Sequence, residues 1–263
     1  MMRSGTVNGA AHELCRVPAG AAGVGALDSP TVRQFSPAHI AALAVLSAAC
    51  GASILVPRRH PGNWVSGAAR VLAGVILAGW AGEYIAEVVV GTWSLGYSLP
   101  LQLTDAVSVA AILALLTRRQ LFIDLLYFWA FSASLQAALT PDLGPGQSFP
   151  SVFYFTYFTY HVGAIVAACL LVFGCRLYPR HDAIWRVYAL TLCWAALAGL
   201  GDVITGGNYM YLRSKPVHRS LLNVMGPWPW YIAGGAALAL LMFLALRALL
   251  DAARRRDVGY RRS

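Results

Sequence analysis

Apolar residues run through this chain in seven long stretches, at residues 37–56, 69–90, 98–116, 120–140, 152–175, 184–205 and 228–249. Each comes close to the roughly 20 residues a helix needs to cross the hydrocarbon core of a bilayer. Polar or Pro/Gly-rich breaks lie between them: Pro57 to Gly62, Gly91 to Ser98, Arg118-Arg119, Pro141 to Pro150, Arg176 to Asp182, and a long connector from Gly206 to Tyr231. The pattern predicts an all-α polytopic bundle of seven transmembrane helices over residues 35–250. The Ala/Gly/Pro-rich stretch 1–34 is expected to be a disordered tail, because Val17 to Leu27 is short for a signal core and has no basic cluster just before it. Residues 251–263 are expected to form a basic cytoplasmic tail.

Charge sets the orientation. If the C-terminus is cytoplasmic, that side collects Arg58, Arg59, Arg70, Arg118, Arg119, Arg176, Arg180, Arg186, Arg247, Arg254, Arg255, Arg256, Arg261 and Arg262. The opposite side keeps Arg3, Arg16 and Arg33, and in the connector Arg213, Lys215 and Arg219. Positive residues prefer the cytoplasmic loops, so the expected orientation is N-out/C-in. The three connector cations run against that rule, which marks them as candidates for a ligand.

Composition narrows the class. The chain is 58% hydrophobic and 12% charged, with mean hydropathy +0.60, about half the charged fraction of soluble domains. The net charge of +9 is spread between the apolar runs, so membrane lipids are the expected partner and nucleic acid is not. The expected location is the plasma membrane. The five cysteines, Cys15, Cys50, Cys169, Cys175 and Cys193, lack metal-type spacing, and no structural disulfide is expected. With only His39 and His161 at a suitable depth, a zinc site is not expected either, and no cofactor is implied.

At 1.5 Å rise per residue, counting each span from its cytoplasmic anchor puts several polar side chains at one level. Glu83, Thr104, Asp105 and His161 fall roughly 8–10 Å below the outer surface, with Glu87, His39, Gln136 and Asp202 nearer to it. Intramembrane ionisable residues usually face the bundle interior and carry function. A coplanar set from six spans therefore points to a cavity open to the outer side.

Each group has a plainer alternative. Thr104 could bond to its own helix backbone, and His161 could make a satisfied interhelical bond. Glu87 is shallow enough to be interfacial, so Glu83 is the stronger functional candidate. Asp202 lies just before the Gly206-Gly207 helix end, where a carboxylate opposes the helix dipole, so it should have a cationic partner in Arg213 or Lys215. Asp124, at a helix start on the inner side, reads as structural.

The connector is the most unusual polar run in the chain. Asn208, Tyr209, Arg213 and Lys215 are followed by the doubled Pro-Trp of Pro227-Trp228-Pro229-Trp230, as expected for the rim of a site.

From about Phe35 to Tyr231 the chain resembles the YwaF-like family of bacterial integral membrane proteins. The resemblance rests on Leu99-Pro100-Leu101-Gln102-Leu103-Thr104-Asp105, Asp124 to Trp129, Leu135 to Leu143, Phe149-Pro150, His161, Asn208 to Leu212, Lys215-Pro216 and Gly226 to Tyr231. That family is distantly similar to an animal acyltransferase that remodels ether phospholipids with a cysteine and a histidine. The animal branch is similar in turn to androgen-induced membrane hydrolases of fatty-acid esters, which use threonine and histidine. The usual family pattern has His and Cys where this chain has Gln102 and Thr104, while the membrane histidine is retained as His161. Either Thr104 replaces the nucleophile, or this member has lost activity.

The resemblance implies a membrane lipid acyl-ester transferase or hydrolase. Thr104 would be nucleophile and His161 base, with Asp105, Glu83 or Asp202 orienting it. Gln102, Gln136, Asp202, Asn208, Tyr209, Arg213, Lys215 and His39 would contact a lipid or amphipathic substrate. The alternative is a transporter or binding protein for a small anionic or amphipathic ligand. In that case Glu83, Asp105 and Asp202 would be ion or proton sites.

Overall fold

The computed structural model describes residues 34–144, 146–216 and 221–260. The expected tail over 1–34 and its cations and Cys15, together with His218 and Arg219, lie outside the described residues apart from Gln34. Seven long helices occur among the described residues: α1 (Pro37–Arg59), α2 (Trp64–Val90), α3 (Leu103–Thr117), α4 (Gln120–Leu139), α5 (Val152–Gly174), α6 (Ala183–Thr205) and α7 (Trp230–Tyr260). All except α3 are long and apolar enough to cross a membrane. The helix α3 is shorter than its apolar run because residues 98–102 form a bent, non-helical entry, and Asp105 Oδ2 caps the helix start by accepting from Gln102 N at 2.9 Å. At the other end, α7 continues beyond residue 250 as helix to Tyr260.

Burial sorts the helices into layers. The apolar window is 72% buried in α5 and 61% in α4, against 11% in both α1 and α7. Helices hydrophobic all round and buried form the core, whereas apolar but exposed faces belong against lipid. The helix α5 packs on α1, α2, α3 and α4. The α2–α5 crossing rests on two glycines. A Cβ at Gly79 would lie 2.8 Å from Thr159 Cγ2, and one at Gly163 would lie 2.6 Å from Ile76 Cγ1. Small residues let membrane helices approach backbone to backbone. This approach brings Glu83 of α2 against Thr156 of α5, five residues before His161.

Both α4 and α5 contain a π-helical turn, at Ala130–Ser134 and Cys169–Gly174. The first lies in the wall of the cavity described below, where π-bulges tend to redirect side chains. At the arginine-rich end Asp124, fully buried, accepts from the Arg180 backbone N–H and Nε at 3.1 Å each and from Gln120 at 2.8 Å. Its reading as structural agrees with these bonds. The four described cysteines are free thiols.

Candidate functional site

The end of the bundle away from Asp124 and Arg180 is crossed by woven connections. In the α6–α7 connection, buried Tyr209 donates its hydroxyl to Leu95 O at 2.7 Å and accepts from Leu99 N at 3.0 Å. Met210 N donates to Gln102 Oε1 at 2.9 Å, Tyr211 Oη donates to Asp142 Oδ2 at 2.5 Å, and Tyr231 Oη donates to Tyr211 O at 2.7 Å. Three connections are thus fastened together, since a polar loop backbone near the membrane must find partners within the protein.

Beneath this cover lies a cavity of about 1360 Å³, walled by α2 to α7. That volume exceeds the roughly 300–1,000 Å³ typical of small-molecule sites. Thr104, His161, Asp105, Glu83, Gln102 and Gln136 all line it. His39, Asp202, Asn208, Tyr209, Arg213 and Lys215 do not belong to the described lining.

The local geometry explains both groups. Thr104 lies in the first turn of α3, where no preceding helical carbonyl can take its hydroxyl, and that hydroxyl has no hydrogen-bond partner among the described residues. The imidazole of His161, only 2% exposed, packs against the rings of both Tyr157 and Tyr160, each with its centroid 4.3 Å away. Its Nδ1 is buried without a hydrogen-bond partner. Buried polar atoms are nearly always satisfied, so this orphan nitrogen, shut off even from the cavity that the residue lines, is an uncompensated cost at the site.

None of the three expected orienting acids bonds to that imidazole. Asp105 Oδ1 accepts from Trp80 Nε1 at 2.8 Å and Tyr84 Oη at 2.7 Å, and its Oδ2 caps Gln102 N at 2.9 Å. Glu83 accepts from Thr156 Oγ1 on α5. Asp202 Oδ1 caps Tyr209 N at 2.6 Å. The expected cation beside Asp202 is absent among the described residues. Arg213 Nη1 instead donates to the main-chain oxygens of Asp202 at 3.4 Å and Gly207 at 3.3 Å, satisfying the helix end directly.

His39 is engaged at both nitrogens: Nδ1 accepts from Phe35 N at 3.0 Å, so Nε2 donates to Ala138 O at 2.8 Å. It ties α1 to the end of α4. Asn208 folds the connector on itself through Ser214 and the Arg213 backbone N–H. Lys215 Nζ lies 5.4 Å from the Tyr231 ring centroid, a cation–π contact.

Two features of the wall escaped the sequence. Glu87, taken as interfacial, is 7% exposed, lines the cavity and has a buried Oε2 with no partner. Its i, i+4 spacing from Glu83 was the available signal. The described lining also carries carboxylates at Glu83, Glu87, Asp105 and Asp142 but no arginine or lysine. Among the described residues no group of three metal-ligating side chains forms.

This arrangement belongs to a stretch that matches a protein-family profile from residue 34 to 247, described as the TMEM164 family. The chain belongs to the TMEM164 family. No curated protein and no solved structure matches the chain significantly. Nearly every element that builds the cavity falls inside the TMEM164-family match, including all of α1 to α6 and the connector. It is a multi-pass membrane protein of that family.

Proposed function

We propose that this TMEM164-family protein is a lipid acyl-ester transferase or hydrolase, with Thr104 as nucleophile and His161 as general base. The observation that carries the reading is that Thr104, whose hydroxyl has no partner among the described residues, and His161, on a different helix, both line one large, mostly apolar cavity. A threonine hydroxyl is a weak nucleophile until a base takes its proton, and an imidazole is such a base. The apolar wall suits acyl chains. Leu212 and Pro216, which line the cavity, flank Arg213 and Lys215, and those cations would meet a headgroup phosphate at the mouth.

The reading includes seven spanning helices, with α3 as the short one, an N-out/C-in orientation and residence in the plasma membrane. Arginines crowding the end opposite the cavity support that orientation.

The test is the purified full-length chain in lipid nanodiscs with a fluorogenic fatty-acyl ester. Turnover with an acyl group on the Thr104 peptide, both lost in Thr104→Ala and His161→Ala, supports the reading. Turnover unchanged in both variants, or absent from the wild type, refutes it.

A second reading draws on Glu87. It adds a fourth carboxylate to a wall with no described cation, which favours a cationic or amphipathic ligand over an anionic one. In that case the protein is a binding or transport protein. Saturable binding of a quaternary ammonium amphiphile, abolished by Glu87→Gln and untouched by Thr104→Ala, distinguishes the two.

A further inference from the structure

Resting on the acyl-ester reading, we propose that the side-chain amide of Gln102 is the oxyanion donor of the site. Attack on an acyl ester places negative charge on the carbonyl oxygen, and a fixed donor aimed at that charge is usually the largest single contribution to the rate. The wall offers no described arginine or lysine for this task. Most of its tyrosine hydroxyls already donate elsewhere: Tyr84 to Asp105, Tyr157 to Ala137 O, Tyr188 to Ala236 O and Tyr211 to Asp142.

Gln102 differs from them. It lines the cavity two residues before Thr104, at the entry to α3. Its Oε1 accepts from Met210 N at 2.9 Å. Only the oxygen end of an amide can accept, so this contact fixes which way the group points and leaves the NH₂ as its free end. Among the described residues Nε2 has no hydrogen-bond partner. The Met210 N–H is itself held in place by an unusual backbone, with Met210 at φ 52° and Tyr211 at φ 57°. Bulky residues adopt that conformation only where the surroundings impose it. The connector therefore aims the Gln102 amide, and His161, in the wall of the same cavity, handles the proton.

The Thr104 oxygen bonds to the acyl carbonyl carbon while its proton passes to His161, and the carbonyl π pair moves onto the oxygen facing Gln102 Nε2. Collapse breaks the ester C–O bond, and His161 returns the proton to the departing alkoxide. The acyl group then leaves Thr104 for water or a lipid hydroxyl by the same sequence.

The experiment uses the full chain in nanodiscs and a p-nitrophenyl fatty-acyl ester alongside its thiono counterpart. Sulfur is a poor hydrogen-bond acceptor, so the thiono ester reports the oxyanion contact. Gln102→Leu is expected to lower kcat roughly 100- to 1000-fold, with KM within about threefold of wild type. Gln102→Glu keeps the acceptor for Met210 N but loses the amide donor, and should fall similarly while melting like wild type. The oxygen-to-sulfur penalty should be large in wild type and nearly gone in both variants. Wild-type activity through acyl-Thr104 with kcat retained in both variants, or an equal sulfur penalty in all three, overturns the Gln102 role and leaves the ester reading standing. A wild type that neither turns over nor acylates Thr104 overturns both.

Discussion

Tyr211 donates its hydroxyl to Asp142 Oδ2 at 2.5 Å, joining the α6–α7 connection to the α4–α5 connection across the mouth of the cavity. Burial pushes the Tyr211 phenol above its usual value of 10.0, and the bonded Asp142 carboxylate pushes it further. A phenol whose folded pKa is raised contributes stability that is fully present below the unfolded value and lost as pH rises toward the folded one. The latch should therefore hold through neutral pH and weaken only above about pH 10. Tyr211→Phe should speed amide hydrogen exchange across residues 206–212 at pH 7 and cost about 1 kcal/mol or less in the melt, since Asp142 is exposed. Unchanged exchange would mean that the latch does not hold the cover.

The glycines at the α2–α5 crossing make a second prediction. Gly163→Ala places a methyl within 2.6 Å of Ile76 Cγ1 and should destabilise the bundle by about 1–3 kcal/mol. Gly74→Ala, on the same helix as Ile76 with nothing within 4 Å of its would-be Cβ, should be neutral or slightly stabilising. Thermal melts in one detergent compare the two, and equal melting points would contradict the close crossing.

Asp105 should prove structural before it proves catalytic. Asp105→Ala removes the acceptor for Trp80 Nε1, Tyr84 Oη and Gln102 N and leaves those donors stranded, at about 1–3 kcal/mol each where no water reaches them. A large drop in melting temperature is expected. An Asp105→Ala variant that melts like wild type would return the residue to the pool of acids free to act on a ligand.

Glu87→Gln is expected to behave in the opposite way. An unpaired buried carboxylate is a cost, so neutralising it should leave stability unchanged or raise it. Impaired ligand binding or turnover together with a melting point at or above wild type would assign Glu87 to function. A lower melting point would show a partner or counter-ion in the folded protein.

Access to the cavity can be probed in a chain with Cys15, Cys50, Cys169, Cys175 and Cys193 replaced. Thr104→Cys, on the cavity wall, should react with a small maleimide, whereas Val107→Cys, one turn on and 0% exposed, should not. Equal reactivity at the two positions would rule out a distinct chamber beside Thr104.

The seven apolar runs, their breaks and the concentration of arginines at one end could all be read from the chain, because insertion into a bilayer depends on local length and composition. The fixed rise of a helix suggested that Glu83, Thr104, Asp105 and His161 share a level, and all four line one cavity. Which groups remain free could not be read this way, because hydrogen bonds are made between segments distant in sequence. His39 and Tyr209 looked like site residues and are satisfied by partners 99 to 114 positions away, while Arg213 serves carbonyls in place of a carboxylate. Glu87 looked superficial and lies buried in the cavity wall. Depth along a helix is a property of the sequence, whereas the direction a side chain faces and the partner it meets depend on how the helices pack, and only the tertiary structure decides that.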